Sequence, residues 1–104
     1  MHAEIVKRRQ ELMVLCRRHG VVRLEVFGSA ARNCDFDLKR SDADFLVTFT
    51  PTARNDLAAF ADFKDALETL LGRPVDLVER EAIEASRNFI RRRRILAEAE
   101  AVYG

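Results

Sequence analysis

The sequence has little of what builds a disulfide framework, a zinc site or a membrane anchor. Among 104 residues it has two cysteines, two histidines and no CxxC pair. We therefore expect Cys16 and Cys34 to be reduced thiols in a cytoplasmic protein, without a structural zinc site. No apolar run approaches the ~20 residues that a helix needs to cross a bilayer. The first residues also lack the uninterrupted apolar core of a secretory signal.

Charge of one sign is not in excess either. The chain has 18 basic and 17 acidic residues, a net charge of +1, so its composition predicts no direct nucleic-acid binding. The run Arg91–Arg94 is basic, but four successive helical residues spread around the axis, which favours a solvated or partner-facing surface. With 48% hydrophobic and 34% charged residues, the chain is typical of one globular domain, residues 1–104.

Hydrophobic periodicity predicts six elements in the order α-β-β-α-β-α. Helical spacing and stop signals predict three helices, at about 3–19, 55–71 and 81–100. Alternation and short apolar runs predict three strands, at 22–27, 44–49 and 75–78. Asn55 or Thr52 is the predicted cap of the second helix, and Gly72 its end. This order predicts an α/β (α+β) fold, a small mixed β-sheet with helices packed on it.

Two Asp-x-Asp pairs lie between the first two predicted strands, Asp35/Asp37 and Asp42/Asp44. An apolar strand directly follows only the second pair. Because side chains alternate along a strand, Asp42 and Asp44 fall on the same side. Asp76 lies between apolar residues in the third strand, so its carboxylate points away from the core. If the third strand neighbours the second, three carboxylates converge.

Three unpaired aspartates at one sheet edge would repel each other, and a hard divalent cation would remove that repulsion. Oxygen-only ligands favour Mg²⁺ or Mn²⁺. Two such ions, roughly 3.5–4 Å apart, can clamp a phosphoryl transfer. In this interpretation Asp42, Asp44 and Asp76 are both metal ligands and catalytic residues. The alternative is a turn with a strand cap for the first two, and an ordinary edge-strand carboxylate for Asp76.

A glycine–serine pair, Gly28 and Ser29, ends the first predicted strand. Glycine lets backbone N–H groups approach a phosphate closely, and the serine hydroxyl adds a donor. Arg32 follows in a segment that could form a helical turn and reach a phosphate. These three residues are candidates for nucleotide binding. The alternatives are an ordinary turn for Ser29 and a solvated surface position for Arg32.

Taken in order, Gly28, Ser29, Asp42, Asp44 and Asp76 resemble the motif of the minimal nucleotidyltransferase family, within the DNA polymerase β-like superfamily. The segments VFGSAAR, SDADFLV and PVDLV resemble the strands of that family, and NFIRRRRILAEAEAVYG resembles its closing helix. The resemblance covers nearly the whole chain and implies a polymerase β-like nucleotidyltransferase core.

The family spacing also selects between the two Asp-x-Asp pairs. Asp35 follows Ser29 too closely for the motif, whereas Asp42 lies nearer the expected distance. The spacer from Ser29 to Asp42 is nonetheless longer than the family's. Asn33 also stands where the family usually has glycine, and both departures bear on the position of Arg32 more than on the aspartates.

The resemblance implies that an NTP and an acceptor hydroxyl react to give a nucleotidylated acceptor and pyrophosphate. Family members are often antitoxins that transfer AMP from ATP to a tyrosine of a HEPN toxin RNase. It therefore implies ATP as substrate, two Mg²⁺ ions (or Mn²⁺) as cofactors, and a hetero-oligomer with a cognate HEPN-type toxin. Because the core occupies the length given, we expect the acceptor to arrive on another macromolecule.

Three alternatives stay open from the sequence. A small-molecule transferase, of the aminoglycoside-modifying type, would act on a free hydroxyl compound without a partner protein. A binding-only antitoxin would neutralise its toxin even without Asp42. A regulatory nucleotide-binding module would bind ATP without turnover.

Overall fold

Four strands of the described chain form one sheet that carries helices on both faces. The computed structural model describes residues 3–28 and 43–104. The helices are α1 (Ala3–Lys7), α2 (Arg9–Arg18), α3 (Leu57–Leu71), α4 (Arg80–Glu84) and α5 (Phe89–Glu98). The strands are β1 (Val21–Phe27), β2 (Ala43–Phe49), β3 (Val75–Glu79) and β4 (Glu100–Tyr103).

The sheet is mixed and has the strand order β3-β2-β1-β4. Strand β1 pairs antiparallel with both β2 and β4, whereas β2 and β3 are parallel. Parallel neighbours need a crossover, and α3 provides it between β2 and β3. The prediction of a small mixed sheet with packed helices is confirmed.

Strand β2 shows why the core has two layers. It is a central strand, and Phe45, Leu46 and Val47 are all at most 1% exposed. Because successive side chains point to opposite faces, Phe45 and Val47 contact the layer of α1, α2 and α3, and Leu46 contacts α4 and α5. A short continuous apolar run is the pattern of a strand buried on both faces.

Helix α3 begins and ends with side-chain and backbone caps. The Asp56 carboxylate accepts hydrogen bonds from the backbone N–H groups of Ala58 (3.0 Å) and Ala59 (3.2 Å). The predicted cap, Asn55 or Thr52, is therefore wrong. Asn55 instead has a φ of 65°, in the turn before the cap. Gly72 ends the helix as predicted, with a left-handed φ of 66°.

The first predicted helix, residues 3–19, is divided between α1 and α2. Arg8 lies between them with φ −96° and ψ 8°. The hydrogen bonding continues through this point, since the Leu12 N–H donates to the Arg8 carbonyl at 2.9 Å. The two helices consequently pack Ile5, Leu12 and Cys16 into the same core.

The last predicted helix, residues 81–100, is wrong in its continuity and in its end, because the structure has two helices there with a break at 85–88, and the second ends at Glu98. The chain forms α4, then starts α5 where the Asn88 side chain accepts a hydrogen bond from the Arg91 N–H. Ala99 is extended and ends α5. Strand β4 follows, with Val102 3% exposed in the core beside β1. Arg9 fixes this strand by donating to its Val102 and Ala101 carbonyls at 3.2 and 3.3 Å.

Across residues 3–28 and 43–104, none of the helices combines the length and the apolar character that a bilayer crossing requires.

Candidate active site

The sheet brings two of the three predicted aspartates together. Asp44 on β2 and Asp76 on β3 are direct partners in the parallel register. Their neighbours Phe45 and Leu77 point into the core with α1, α2 and α3. Because side chains alternate, both carboxylates project from the opposite face, on the side of α4 and α5. The predicted neighbourhood of the second and third strands is therefore confirmed.

Gly28 lies directly beside the carboxylate of Asp44. It follows Phe27, the register partner of Asp44, and its φ is +68°. A Cβ at this position would stand 2.6 Å from Asp44 Oδ2. Both the left-handed backbone and the close approach therefore favour glycine here.

A cleft of about 360 Å³ opens over these residues. Its described lining residues from the sheet are Phe27, Gly28, Asp44 and Asp76. Those from α5 are Arg91, Arg94, Ile95 and Glu98. The volume falls within the range typical of small-ligand sites, about 300–1,000 Å³.

The two sides of the cleft carry opposite charge. Asp44, partly buried, and Asp76, exposed, lie on the sheet side. Arg91 and Arg94 lie on the α5 side. Arg94 Nε is 3.5 Å from Glu98 Oε1, an ion pair one helical turn along α5. A ligand between the two sides meets the Asp44 and Asp76 carboxylates on one side, and two guanidinium groups with the Glu98 carboxylate on the other.

The sequence did not lead us to predict that Arg91 and Arg94 line this cleft. The four arginines do spread around the helix as predicted: Arg92 donates to the Ser86 carbonyl at 3.0 Å, and Arg93 is exposed outside the cleft. The available signal was the spacing of positions 91, 94, 95 and 98, which places an i, i+3, i+4, i+7 stripe on one side of a helix.

A buried ion pair holds the strands beneath this face of the sheet. Glu25 on β1 is 2% exposed, and Arg80 Nη1 lies 2.7 Å from each of its carboxylate oxygens. Arg23 adds a contact of 3.2 Å to the same carboxylate. The hydrogen bond to Glu25 is the main cause that raises the pKa of Arg80 above its usual value. Since Arg80 begins α4 directly after β3, the pair ties the β3 edge to β1 across β2.

Three predicted site residues, Ser29, Arg32 and Asp42, lie outside the described residues, and their roles stay predictions. In the described ranges 3–28 and 43–104, no group of three or more His, Cys, Asp or Glu side chains is placed to hold a metal ion. Asp44 and Asp76 supply only part of the predicted set. Their donors are carboxylate oxygens, the chemistry that fits a hard divalent cation such as Mg²⁺ or Mn²⁺.

Comparison with known proteins identifies the family of this chain. Residues 8–100 match the model of the nucleotidyltransferase domain family. A relative in Methanocaldococcus jannaschii, described as a candidate protein adenylyltransferase, is 38% identical over 76 residues, covering 73% of this chain and 74% of the relative. This chain belongs to the nucleotidyltransferase domain family.

Solved structures place the chain within this family. A structure described as a candidate minimal nucleotidyltransferase is 39% identical, with a TM-score of 0.72, covering 96% of this chain and 95% of that one. The structure of a tri-AMPylated Shewanella oneidensis HEPN toxin in complex with MNT antitoxin has a TM-score of 0.63, covering 96% of this chain and 72% of that one. At 17% identity the second likeness shows the fold alone. The predicted polymerase β-like fold and the predicted family are confirmed.

Proposed function

We propose that this nucleotidyltransferase uses divalent metal to transfer AMP from ATP to a hydroxyl group of a partner protein. More specifically, the acceptor is a tyrosine of a HEPN-type toxin RNase, and the protein acts as its antitoxin. The observation that carries the proposal is the pairing of Asp44 and Asp76 in adjacent strands, beside Gly28 and at the base of one cleft.

The proposed division of roles follows from position. Asp44 and Asp76, together with Asp42, would hold two Mg²⁺ ions (or Mn²⁺), which would neutralise charge on the triphosphate. Gly28 offers backbone close to the cleft, and with Ser29 and Arg32 it would bind the phosphates. Asp76 is more exposed than Asp44, so an incoming acceptor can reach it.

Asp76 therefore acts as the general base in this proposal. The acceptor hydroxyl gives its proton to the Asp76 carboxylate, and its oxygen forms a bond to the α-phosphorus of ATP. The bond between the α-phosphorus and the bridging oxygen breaks, and that oxygen leaves with pyrophosphate. Atoms and charge balance without any further reactant.

One relative and one protein of similar fold support a protein acceptor. The archaeal relative is described as a candidate protein adenylyltransferase, and the Shewanella structure holds an AMPylated HEPN toxin with its MNT antitoxin. A hetero-oligomer with a HEPN-type toxin follows from the proposal. It also places the protein in the cytoplasm, where ATP is available and the buried Cys16 thiol stays reduced.

Intact mass spectrometry tests the proposal. The protein is mixed with ATP, Mg²⁺ and a HEPN-type protein encoded beside it, with and without EDTA. We expect the mass of one or more AMP groups on the HEPN-type protein, and none with EDTA. Asp76→Asn should reduce transfer by about 100-fold or more. Asp65→Asn should not, because Asp65 is exposed on α3, away from the cleft.

Other outcomes would overturn the proposal in distinct ways. If the HEPN-type protein binds tightly but gains no mass with the wild-type protein, neutralisation by binding alone replaces AMP transfer. If a free aminoglycoside gains AMP and the protein acceptor does not, the enzyme is a small-molecule transferase. If ATP binds but no acceptor of either kind is modified, the chain is a nucleotide-binding module.

A further inference from the structure

The geometry points to Arg91 and Arg94 of α5 as the residues that bind the β- and γ-phosphates of the nucleotide and the pyrophosphate leaving group. This inference rests on the proposed function, because it assigns a further part of the same site. Arg91 and Arg94 are two of four consecutive arginines, and Arg93 on the same helix has no such role.

The positions of Arg91 and Arg94 support this assignment first. Arg91 and Arg94 line the same 360 Å³ cleft as Gly28, Asp44 and Asp76, but from the opposite side. A triphosphate between the two sides would face metal-binding carboxylates on one side and guanidinium groups on the other. Guanidinium groups bind phosphate oxygens through two parallel N–H donors, which gives geometry as well as charge.

The ion pairs of the arginines also support this assignment. Within residues 3–28 and 43–104, arginines that face other parts of the sheet have acidic partners: Arg80 pairs with Glu25 at 2.7 Å and Arg54 pairs with Glu81 at 2.9 Å. Arg94 has Glu98 at 3.5 Å. The side chain of Arg91 has no ion pair with any residue in those ranges, although it lines a cleft. A bound anion would supply its partner.

Helix α5 holds the two arginines at a fixed place beside the sheet. The helix that carries both arginines is fixed at its start by the Asn88 cap, and in the middle by Ile95, which is 6% exposed against Phe27 and Leu46. The guanidinium groups therefore project from a packed helix rather than from a loop. A fixed helix limits the space that the two side chains can reach, and that space includes the cleft where negative charge would develop. In the transfer, this charge is the pyrophosphate that departs from the α-phosphorus.

The position of the cleft, beside Gly28, Asp44 and Asp76, favours a nucleotide phosphate as the anion. The space between α5 and the sheet suits a small ligand. Arg87 and Arg93 are exposed outside the cleft, so they do not share this space with Asp44 and Asp76.

Calorimetric titration with AMP-PNP and with AMP, in Mg²⁺ and without any acceptor, tests the inference. AMP-PNP carries β- and γ-phosphates and AMP lacks both. We expect Arg91→Ala and Arg94→Ala each to weaken AMP-PNP binding by about tenfold. AMP binding should change less than about twofold, which a general loss of structure would not reproduce. Arg93→Ala is the matched control, since it removes the same charge from the same helix, and both affinities should stay at the wild-type values.

Three results would overturn the inference. Unchanged AMP-PNP affinity in Arg91→Ala, with loss of transfer to the acceptor, would assign the arginine to acceptor binding instead. Equal weakening in Arg93→Ala would indicate a general effect of helix charge. Equal weakening of AMP and AMP-PNP would place the arginines away from the β- and γ-phosphates. A wild-type protein that binds AMP-PNP with this dependence but modifies no acceptor would sink the proposed function and leave the inference standing.

Discussion

Replacing Gly28 with alanine tests the site through a single carbon atom. The new Cβ would lie 2.6 Å from Asp44 Oδ2, well inside the ordinary contact distance of 3.4 Å. The carboxylate is the far end of a side chain, so it can move, and it must move by at least about 0.8 Å to restore normal contact. We therefore expect Gly28→Ala to displace the Asp44 carboxylate while the protein stays folded.

The expected cost to stability is small and can be separated from the effect on catalysis. Alanine in a left-handed conformation costs about 1–2 kcal/mol. The reduced freedom of the unfolded chain returns about 0.4–1 kcal/mol. The net loss of about 1 kcal/mol lowers the melting temperature of a domain of this size by about 4–8 °C. Catalysis should suffer more, since a 1 Å misplacement of a reacting group can cost about 100-fold in rate.

Gly72 provides the matched control. Its φ of 66° is nearly the same as that of Gly28, but a Cβ there would have nothing within 4 Å. Gly72→Ala should therefore show the same loss of stability with transfer activity within about twofold of wild type. Thermal melts and initial rates of AMP transfer measure the two effects. If Gly28→Ala and Gly72→Ala have the same activity, the position of the Asp44 carboxylate does not control catalysis and our reasoning about the site is wrong.

Two further predictions concern buried groups outside the cleft. Arg80→Ala removes the 2.7 Å partner of the buried Glu25 carboxylate but leaves its 3.2 Å contact with Arg23, so it should cost about 1.5–3 kcal/mol in urea unfolding. Arg54→Ala breaks an exposed pair and should cost at most about 1 kcal/mol. Equal losses would contradict the role of the buried pair. Burial raises the pKa of the Cys16 thiol from 9.0 to about 12, so the folded protein keeps a proton that the unfolded chain loses between these values. The contribution of the protonated thiol to the free energy of unfolding is therefore complete below pH 9, and above it falls by up to about 1.4 kcal/mol per pH unit. A Cys16→Ala variant whose stability relative to wild type is the same at pH 8 and pH 10 would contradict this.

The central elements could be predicted because local patterns and tertiary structure agree there. Strand β2 reads as an apolar run after two aspartates, and helix α3 has apolar residues at helical spacing between Asp56 and Gly72. The meeting of Asp44 and Asp76 followed from alternation within each strand, once the two strands were taken as neighbours. The roles of Asp42, Ser29 and Arg32 stay predictions, because these residues lie outside the described ranges.

Strand β4 could not be predicted from local pattern. Its four residues follow an Ala- and Glu-rich segment whose composition favours helix. The strand forms because it pairs with β1, and because Arg9, more than 90 residues earlier, donates to its Val102 and Ala101 carbonyls. These contacts are tertiary, and no window of the sequence around β4 contains them.

The strand order explains why α5 covers the aspartates. Strand β3 lies at one edge of the sheet and β4 at the other, with β2 and β1 between them. The chain between β3 and β4 consists of α4 and α5, so it must cross the face of β2 and β1. That is the face from which Asp44 and Asp76 project, and the contact of Ile95 with Leu46 and Phe27 marks the crossing. A single helix over residues 81–100 would not let the chain cross this face and then pair as β4 with β1. The pairing of β4 with β1 therefore decides which side of α5 meets the sheet, and with it which arginines of the run face the carboxylates.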